Sequence, residues 1–180
     1  MKDLKGSKTE ECLKIAFAGE SQAAVKYHFY AKKAKKDGFE QIGAIFEETA
    51  HNEREHAKIW FKYLHDGDVP GTTTNLADAA AGEEYEWDDM YKNFAEIARE
   101  EGFTAIAKRF ELVGEIERTH MERYRKLLSN IEEGIVFSRD GDRMWMCREC
   151  GHIHVGTTAP KVCPVCSHPE AYFEIYPENY

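Results

Sequence analysis

Four cysteines near the C-terminus, Cys147, Cys150, Cys163 and Cys166, are spaced Cys-x2-Cys-x12-Cys-x2-Cys. Two such knuckles offer four thiolates in a tetrahedral set, which holds either zinc or a single iron. In a reducing compartment this spacing reads as a metal site rather than as disulfides. A second group of residues is acidic. Glu53-x-x-His56 and Glu117-x-x-His120 each set a carboxylate and an imidazole one turn apart on one helix face. Glu20, Glu83 and Glu86 interrupt apolar helical stripes in the same way. A lone carboxylate in a core is costly even after relaxation. Five of them, Glu20, Glu53, Glu83, Glu86 and Glu117, exceed what Lys and Arg from opposite faces can neutralise, whereas metal ions of high charge can do it. Carboxylates with one or two imidazoles suit iron or manganese better than zinc or copper. Redox use favours iron, although the ligands alone leave a Mn/Fe or Zn/Fe pair open.

Long amphipathic helices must position these groups. The periodicity predicts helices over about 8–36, 39–65, from Leu76 to Gly102, and from Gly102 to about 131. The inward stripes read Leu13, Phe17, Glu20, Ala24, Tyr27 and Ala31 on the first helix. On the second they read Ile42, Phe46, Thr49, Glu53, His56, Trp60 and Tyr63, and the fourth repeats this from Ile106 to Ile131. Short joints at Gly38 and Gly102 predict antiparallel hairpins, and the longer middle connection serves as the crossover between them. Glu20 precedes Glu53 by 33 positions and Glu83 precedes Glu117 by 34, an approximate internal repeat that would bring both hairpins' ligands to one level. Glu48, Glu55, Glu115 and Glu122 read as solvated surface.

Beyond residue 132 the composition shifts to Gly, Pro, Cys and β-branched residues, and four of the five prolines lie in the last quarter. The domain reading is therefore 1–134 for the bundle, 135–141 for a linker, and 142–180 for the four-cysteine module. The module is too small for an adequate apolar core, so metal binding must supply much of its folding energy. Trp145, Tyr172 and Phe173 form its expected small core. Cys12 reads as a small buried thiol on the first helix.

The chain has 180 residues, 42% of them hydrophobic and 32% charged, with a formal charge of −9. That acidity argues against nucleic-acid partners and anionic membranes. The segment Met1-Lys2-Asp3-Leu4-Lys5-Gly6-Ser7 lacks the apolar stretch of a signal peptide, and no apolar run reaches membrane length. The expected location is the cytoplasm. No Gly-rich dinucleotide-binding loop is present in the sequence.

The segments "FAGES" around Glu20, "EREHA" around Glu53 and His56, "AAGEEYEW" around Glu83 and Glu86, and "EIERTH" around Glu117 and His120, with the paired CxxC knuckles, resemble the rubrerythrin family over essentially the whole chain. The resemblance implies a mainly α, ferritin-like four-helix bundle with a long crossover, followed by a small β-rich rubredoxin-like domain whose four cysteines hold iron (zinc after expression in a foreign host). It implies two further irons bridged by Glu53 and Glu117, with Glu20 terminal on the first iron and Glu83 and His120 on the second. Glu86 and His56 would alternate on the first iron, Glu86 when oxidised and His56 when reduced. Tyr27 and Tyr91 would hydrogen-bond the ligand carboxylates. The implied activity is reduction of hydrogen peroxide to water, in protection against oxidative stress. Electrons would come through the four-cysteine iron from an NAD(P)H-linked reductase or rubredoxin-type donor, in a homodimer or larger assembly. The alternative is a ferroxidase or iron-binding protein. The helix 2–3 connection, Asp66 to Asn75, is shorter than in longer family members, which raises the question of whether the hairpins pair within one chain or between subunits.

Overall fold

The computed structural model describes residues 4–178; Met1–Asp3, part of the segment read as lacking a signal peptide, lie outside it, as do residues 179–180. Two compact units are present, Met1–Gly71 and Thr72–Tyr180. The first is a hairpin of α1 (Lys8–Lys36) and α2 (Glu40–Leu64). Ser7 caps α1 by accepting the Glu10 amide through Oγ at 3.1 Å, which satisfies one orphan donor of the first turn, while the Glu10 carboxylate accepts the Gly6 amide just before the cap. The helix stops at Gly38, whose φ of +87° suits a residue without Cβ, and the Phe39 amide closes back on the Ala34 carbonyl at 2.9 Å.

In the second unit α3 (Thr72–Tyr85), a π-helical turn (Glu86–Met90) and α4 (Tyr91–Glu100) run continuously, and α5 (Thr104–Glu132) follows. Helix α3 begins at Thr72, four residues before Leu76, so the Thr-rich passage forms its first turn. The connection between α2 and α3 thus spans only residues 65–71.

The two hairpins repeat each other closely. Gly102 has φ +86°, and Phe103 closes on the Ala98 carbonyl at 2.7 Å, reproducing Gly38 and Phe39 at a 64-residue offset. Lys35 bonds Glu47 at 2.6 Å, and Arg99 bonds Glu111 at the same offset. Phe46 receives the rings of Tyr27 and Tyr30, just as Phe110 receives Tyr91 and Phe94. Before the π turn, however, the offset is 63: Leu13, Gly19 and Glu20 answer to Leu76, Gly82 and Glu83. The π turn holds the one extra residue.

What each hairpin buries differs from the stripe expected to be its core. In α1 and α2 the buried residues are Ala24, Ala31, Ala34, Gly43, Ala50 and Ala57; in α5 they are Ala107, Gly114 and Met121. These residues, all small except Met121, form the seam along which paired helices approach. A Cβ on Gly43 would come within 3.2 Å of the Ala31 carbonyl oxygen, and one on Gly114 within 3.3 Å of Tyr91 Cβ. By contrast Ile42, Tyr63, Ile106 and Leu127, all on the ligand-bearing stripes, are 48%, 60%, 49% and 44% exposed. Two helices packed along a narrow seam leave their next stripe uncovered, which is why the expected core positions are open.

The C-terminal part of the second unit is a three-stranded antiparallel sheet, order β2–β1–β3, of β1 (Ser138–Cys147), β2 (Ile153–Thr158) and β3 (Phe173–Ile175). Strand β1 starts inside the stretch read as a linker, because Ser138 already pairs with Thr158. Trp145 and Phe173 lie in the core with Cys147, Ala159 and Cys163, as expected. Tyr172 does not: it is 39% exposed and stacks edge-on against His168 at the rim. Cys12 is likewise exposed rather than buried, since it lies off the alanine seam of α1. Among the described residues no helix is long and apolar enough to cross a membrane.

Candidate metal centres

The four-cysteine site is built by two copies of one backbone device. The Cys147 amide donates to the His152 carbonyl at 2.9 Å and the Gly151 amide to the Cys147 carbonyl at 2.8 Å. Sixteen residues on, the Cys163 amide donates to His168 at 2.8 Å and Ser167 to Cys163 at 2.9 Å. Each knuckle needs a left-handed residue after its second cysteine, supplied by Gly151 (φ +76°) and by Ser167 (φ +61°). The Sγ pairs Cys147–Cys166 and Cys150–Cys163 both lie at 3.7 Å. A tetrahedron with metal–sulfur bonds of about 2.3 Å has edges of about 3.8 Å, so the four sulfurs fit zinc or a single iron. Burial opposes ionisation of Cys163, but the amides of Cys166 and Val165 and the thiols of Cys166 and Cys150 lower its pKa to about 6. That thiolate seeds the negative charge that a cation completes.

Two further clusters bring together the acidic and imidazole residues singled out from the sequence. In the first unit Glu20, Glu53 and His56 offer ligand atoms that all lie within 4.8 Å of one another, and in the second Glu83, Glu117 and His120 do the same. His56 Nδ1 is 2.8 Å from Glu53 Oε2, and His120 Nδ1 is 2.8 Å from Glu117 Oε2 and 3.6 Å from Glu83 Oε2. Both clusters sit at the same depth of the repeat, on α1 with α2 and on α3 with α5. The donor set of two carboxylates and one imidazole fits iron or manganese. None of the five glutamates is fully buried: the side chains of Glu53, Glu83 and Glu117 are 19%, 21% and 14% exposed. The core position expected for them is only partly realised, because the stripe that bears them is open.

Glu86 lies outside the three-residue cluster, at the first position of the π turn. Its charge nonetheless acts on its neighbours. Burial, the hydrogen bond and charge of Glu117, and the charge of Glu86 raise the Glu83 carboxyl, with His120 opposing. Burial, then Glu86, Glu117 and Glu83, raise the Tyr91 phenol. Tyr91 is therefore among the second unit's carboxylates, while Tyr27, its counterpart, packs on Phe46 with ring centroids 6.0 Å apart. Glu55 bonds Lys58, and Glu115 and Glu122 both bond Arg118 on the surface. The π turn and the alanine seam were not anticipated. The one-residue excess of 34 over 33 was the available signal for the first, and the seven-residue spacing of Gly43, Ala50 and Ala57 for the second.

A family model described as Rubrerythrin matches residues 11–128, and one described as Rubrerythrin, rubredoxin-like domain matches residues 145–174. Rubrerythrin-1 of Clostridium acetobutylicum is 51% identical, and rubrerythrin of Nitratidesulfovibrio vulgaris 48% identical, each alignment covering 100% of this chain and of the relative. A solved mixed-valence state of nigerythrin is 34% identical, covering 98% of this chain and 91% of that one, with a TM-score of 0.36. With full-length relatives near half identity, and with two Glu/His clusters and a four-thiolate site in the order those matches require, the chain belongs to the rubrerythrin family, whose members bind iron.

Proposed function

We propose that this protein reduces hydrogen peroxide to water, taking up two electrons and two protons per peroxide. The observation that carries this reading is the presence in one chain of two matched carboxylate/imidazole clusters and a separate four-thiolate site. Iron in the clusters, when bound, supplies one electron from each of two ions to the O–O bond. Glu20, Glu53, His56, Glu83, Glu86, Glu117 and His120 are the proposed ligands. Glu53 and Glu117 are proposed as bridges. With iron bound, His56 and Glu86 would exchange as ligands, the neutral imidazole suiting the less charged reduced state and the carboxylate the oxidised one. Tyr91 keeps its proton, because burial and the surrounding carboxylates oppose its loss. It therefore serves as a hydrogen-bond donor that orients Glu83, Glu86 or Glu117. Tyr27 has this role in the first hairpin. Cys147, Cys150, Cys163 and Cys166 hold the iron through which electrons return from a separate NAD(P)H-linked reductase or rubredoxin-type protein. The assembly is a homodimer or larger and works in the cytoplasm against oxidative stress.

The test is spectroscopic. Natively expressed protein is reduced without oxygen, mixed with hydrogen peroxide, and followed in the visible. Rapid return of ferric-thiolate colour, with one peroxide consumed per two electrons, is expected. A colourless protein carrying zinc at the four cysteines, or peroxide loss no faster than with free iron, would sink the reading.

A further inference from the structure

We propose that hydrogen peroxide reaches the ligand cluster of the second hairpin from behind, through a cavity between the π turn and α5 whose inner wall is Tyr91. This rests on the peroxidase reading above and adds the route and the residues that set its width. The cavity has a volume of about 310 Å³. Its outer wall is Lys108, Leu112 and Glu115. At 100° per residue these fall on the side of α5 opposite the stripe of Phe110, Glu117 and His120. Its inner wall is Tyr91 and Phe110, with ring centroids 5.9 Å apart. The cavity therefore runs into the seam between the helices rather than along the ligand-bearing face, and covering that face does not close its mouth.

Gly114 makes the gap. It is buried in the seam and lines the cavity, and a Cβ there would lie 3.3 Å from Tyr91 Cβ. Glycine thus keeps the passage open where backbone and ring come closest. Beyond Tyr91 stand the carboxylates, since the charges of Glu86, Glu117 and Glu83 all act on its phenol. One ring separates the cavity from the cluster. At the lip, Lys92 Nζ lies 5.2 Å from the centroid of the Trp87 ring and bonds Asp88, and Lys108 bonds Glu111 at 3.1 Å. With each lysine matched by a carboxylate, the mouth has no spare positive charge to hold an anion. It suits a small, uncharged, hydrogen-bonding molecule, which hydrogen peroxide is. The first hairpin repeats the frame without this lining: Ala50 answers to Gly114, Glu48 to Leu112, and Ala23 or Ala24 to Trp87. Delivery is therefore to the side of Glu83, Glu117 and His120.

The experiment plugs the route and times a ligand that does not react as a peroxide does. Full-length, iron-loaded protein is reduced without oxygen and mixed with nitric oxide, a small uncharged ligand of ferrous iron, and the nitrosyl absorbance of the bundle iron is followed by stopped flow. Leu112→Trp blocks the mouth from a position that is 54% exposed, and Gly114→Ala narrows the gap. Both are expected to keep wild-type iron content and nitrosyl band position while nitric oxide association slows several-fold. Reoxidation by hydrogen peroxide should slow by a similar factor, and Leu112→Ala should be at least as fast as wild type. Leu112→Trp with full iron and wild-type rates would overturn the proposal. So would a shifted nitrosyl band, which marks a disturbed ligand set rather than a narrowed route. Leu112→Trp decides the matter if Gly114→Ala fails to fold. Nitric oxide slowed by the plug in a protein that consumes no peroxide removes the peroxidase reading and leaves the route. Peroxide consumption that the plug does not slow removes the route and leaves the peroxidase reading, and a wild-type protein without bundle iron overturns both.

Discussion

Trp145 is the residue through which folding of the small C-terminal sheet and its metal affinity are linked. It is fully buried, and with Cys147 and Cys163 it is the largest side chain to be so. Its Nε1–H donates to the Gly156 carbonyl at 2.9 Å, fastening β1 to β2. Trp145→Ala removes the indole from a core otherwise made of Phe173, Ala159 and thiols, a loss of about 3–5 kcal/mol for a buried aromatic. A structural four-thiolate metal contributes about 10–16 kcal/mol, so the variant stays folded when loaded. Because the metal folds this part of the chain, the loss appears instead as affinity: about 4 kcal/mol is about a thousandfold. Trp145→Phe keeps most of the ring contact and loses the indole bond, about 1 kcal/mol or somewhat under tenfold. The assay is chelator competition on full-length protein, following the ferric-thiolate absorbance. The expected order of metal loss is Ala first, then Phe, then wild type. If Trp145→Ala and wild type release metal at the same chelator concentration, the core does not support the site and the reasoning fails.

Ser167 sits where its counterpart Gly151 uses a left-handed φ, so Ser167→Gly should stabilise the metal-loaded sheet by about 1 kcal/mol; a lower melting temperature would contradict this. Burial first, then Glu117 and Glu86, raise the Glu83 pKa above its ordinary 4.5. A group with a raised folded pKa costs the metal-free protein stability as pH climbs from 4.5 through the raised value. Metal-free Glu83→Gln should therefore melt higher than metal-free wild type at pH 7, with the gap closing as pH falls toward 4.5; a pH-independent gap would refute it. A Cβ on Gly114 already falls 3.3 Å from Tyr91 Cβ, so Gly114→Leu should cost about 1–3 kcal/mol by overpacking, measured by urea unfolding. His56→Ala should leave the oxidised protein's iron content intact and slow the reduced protein's reaction with peroxide; unchanged turnover would remove the alternating-ligand role.

Much of the fold was legible because its signals are local. The stops at Asp37-Gly38 and Gly102, the Glu-x-x-His pairs and the cysteine knuckles each need only a few neighbouring residues to be read. The exposed Ile42 and Tyr63 were misread as core because a 3.6-residue stripe reports amphipathicity without saying what covers it. The true seam escaped because Ala and Gly carry little hydrophobic signal, although they let the helices approach. Tyr172 was read with Trp145 and Phe173 as core, but a phenol one residue before a strand stays at the rim, where His168 provides an edge contact. The π turn was invisible to periodicity, since one wide turn barely disturbs an apolar pattern; only the mismatch of 33 against 34 between matched glutamates betrayed it.

That mismatch has a mechanical consequence. An extra residue in an unbroken α-helix turns everything beyond it by about 100° and slides it about 1.5 Å. Here Glu83 keeps the place of Glu20 and Tyr91 keeps the place of Tyr27, although Glu83 and Tyr91 are eight residues apart and Glu20 and Tyr27 seven. The widened turn at Glu86–Met90 works as an expansion joint, absorbing the insertion within five residues while both flanks hold their grip on α5. A duplicated frame can thus differ chemically in its two halves without differing mechanically. Glu86, which has no partner glutamate in α1, is the group that this joint admits.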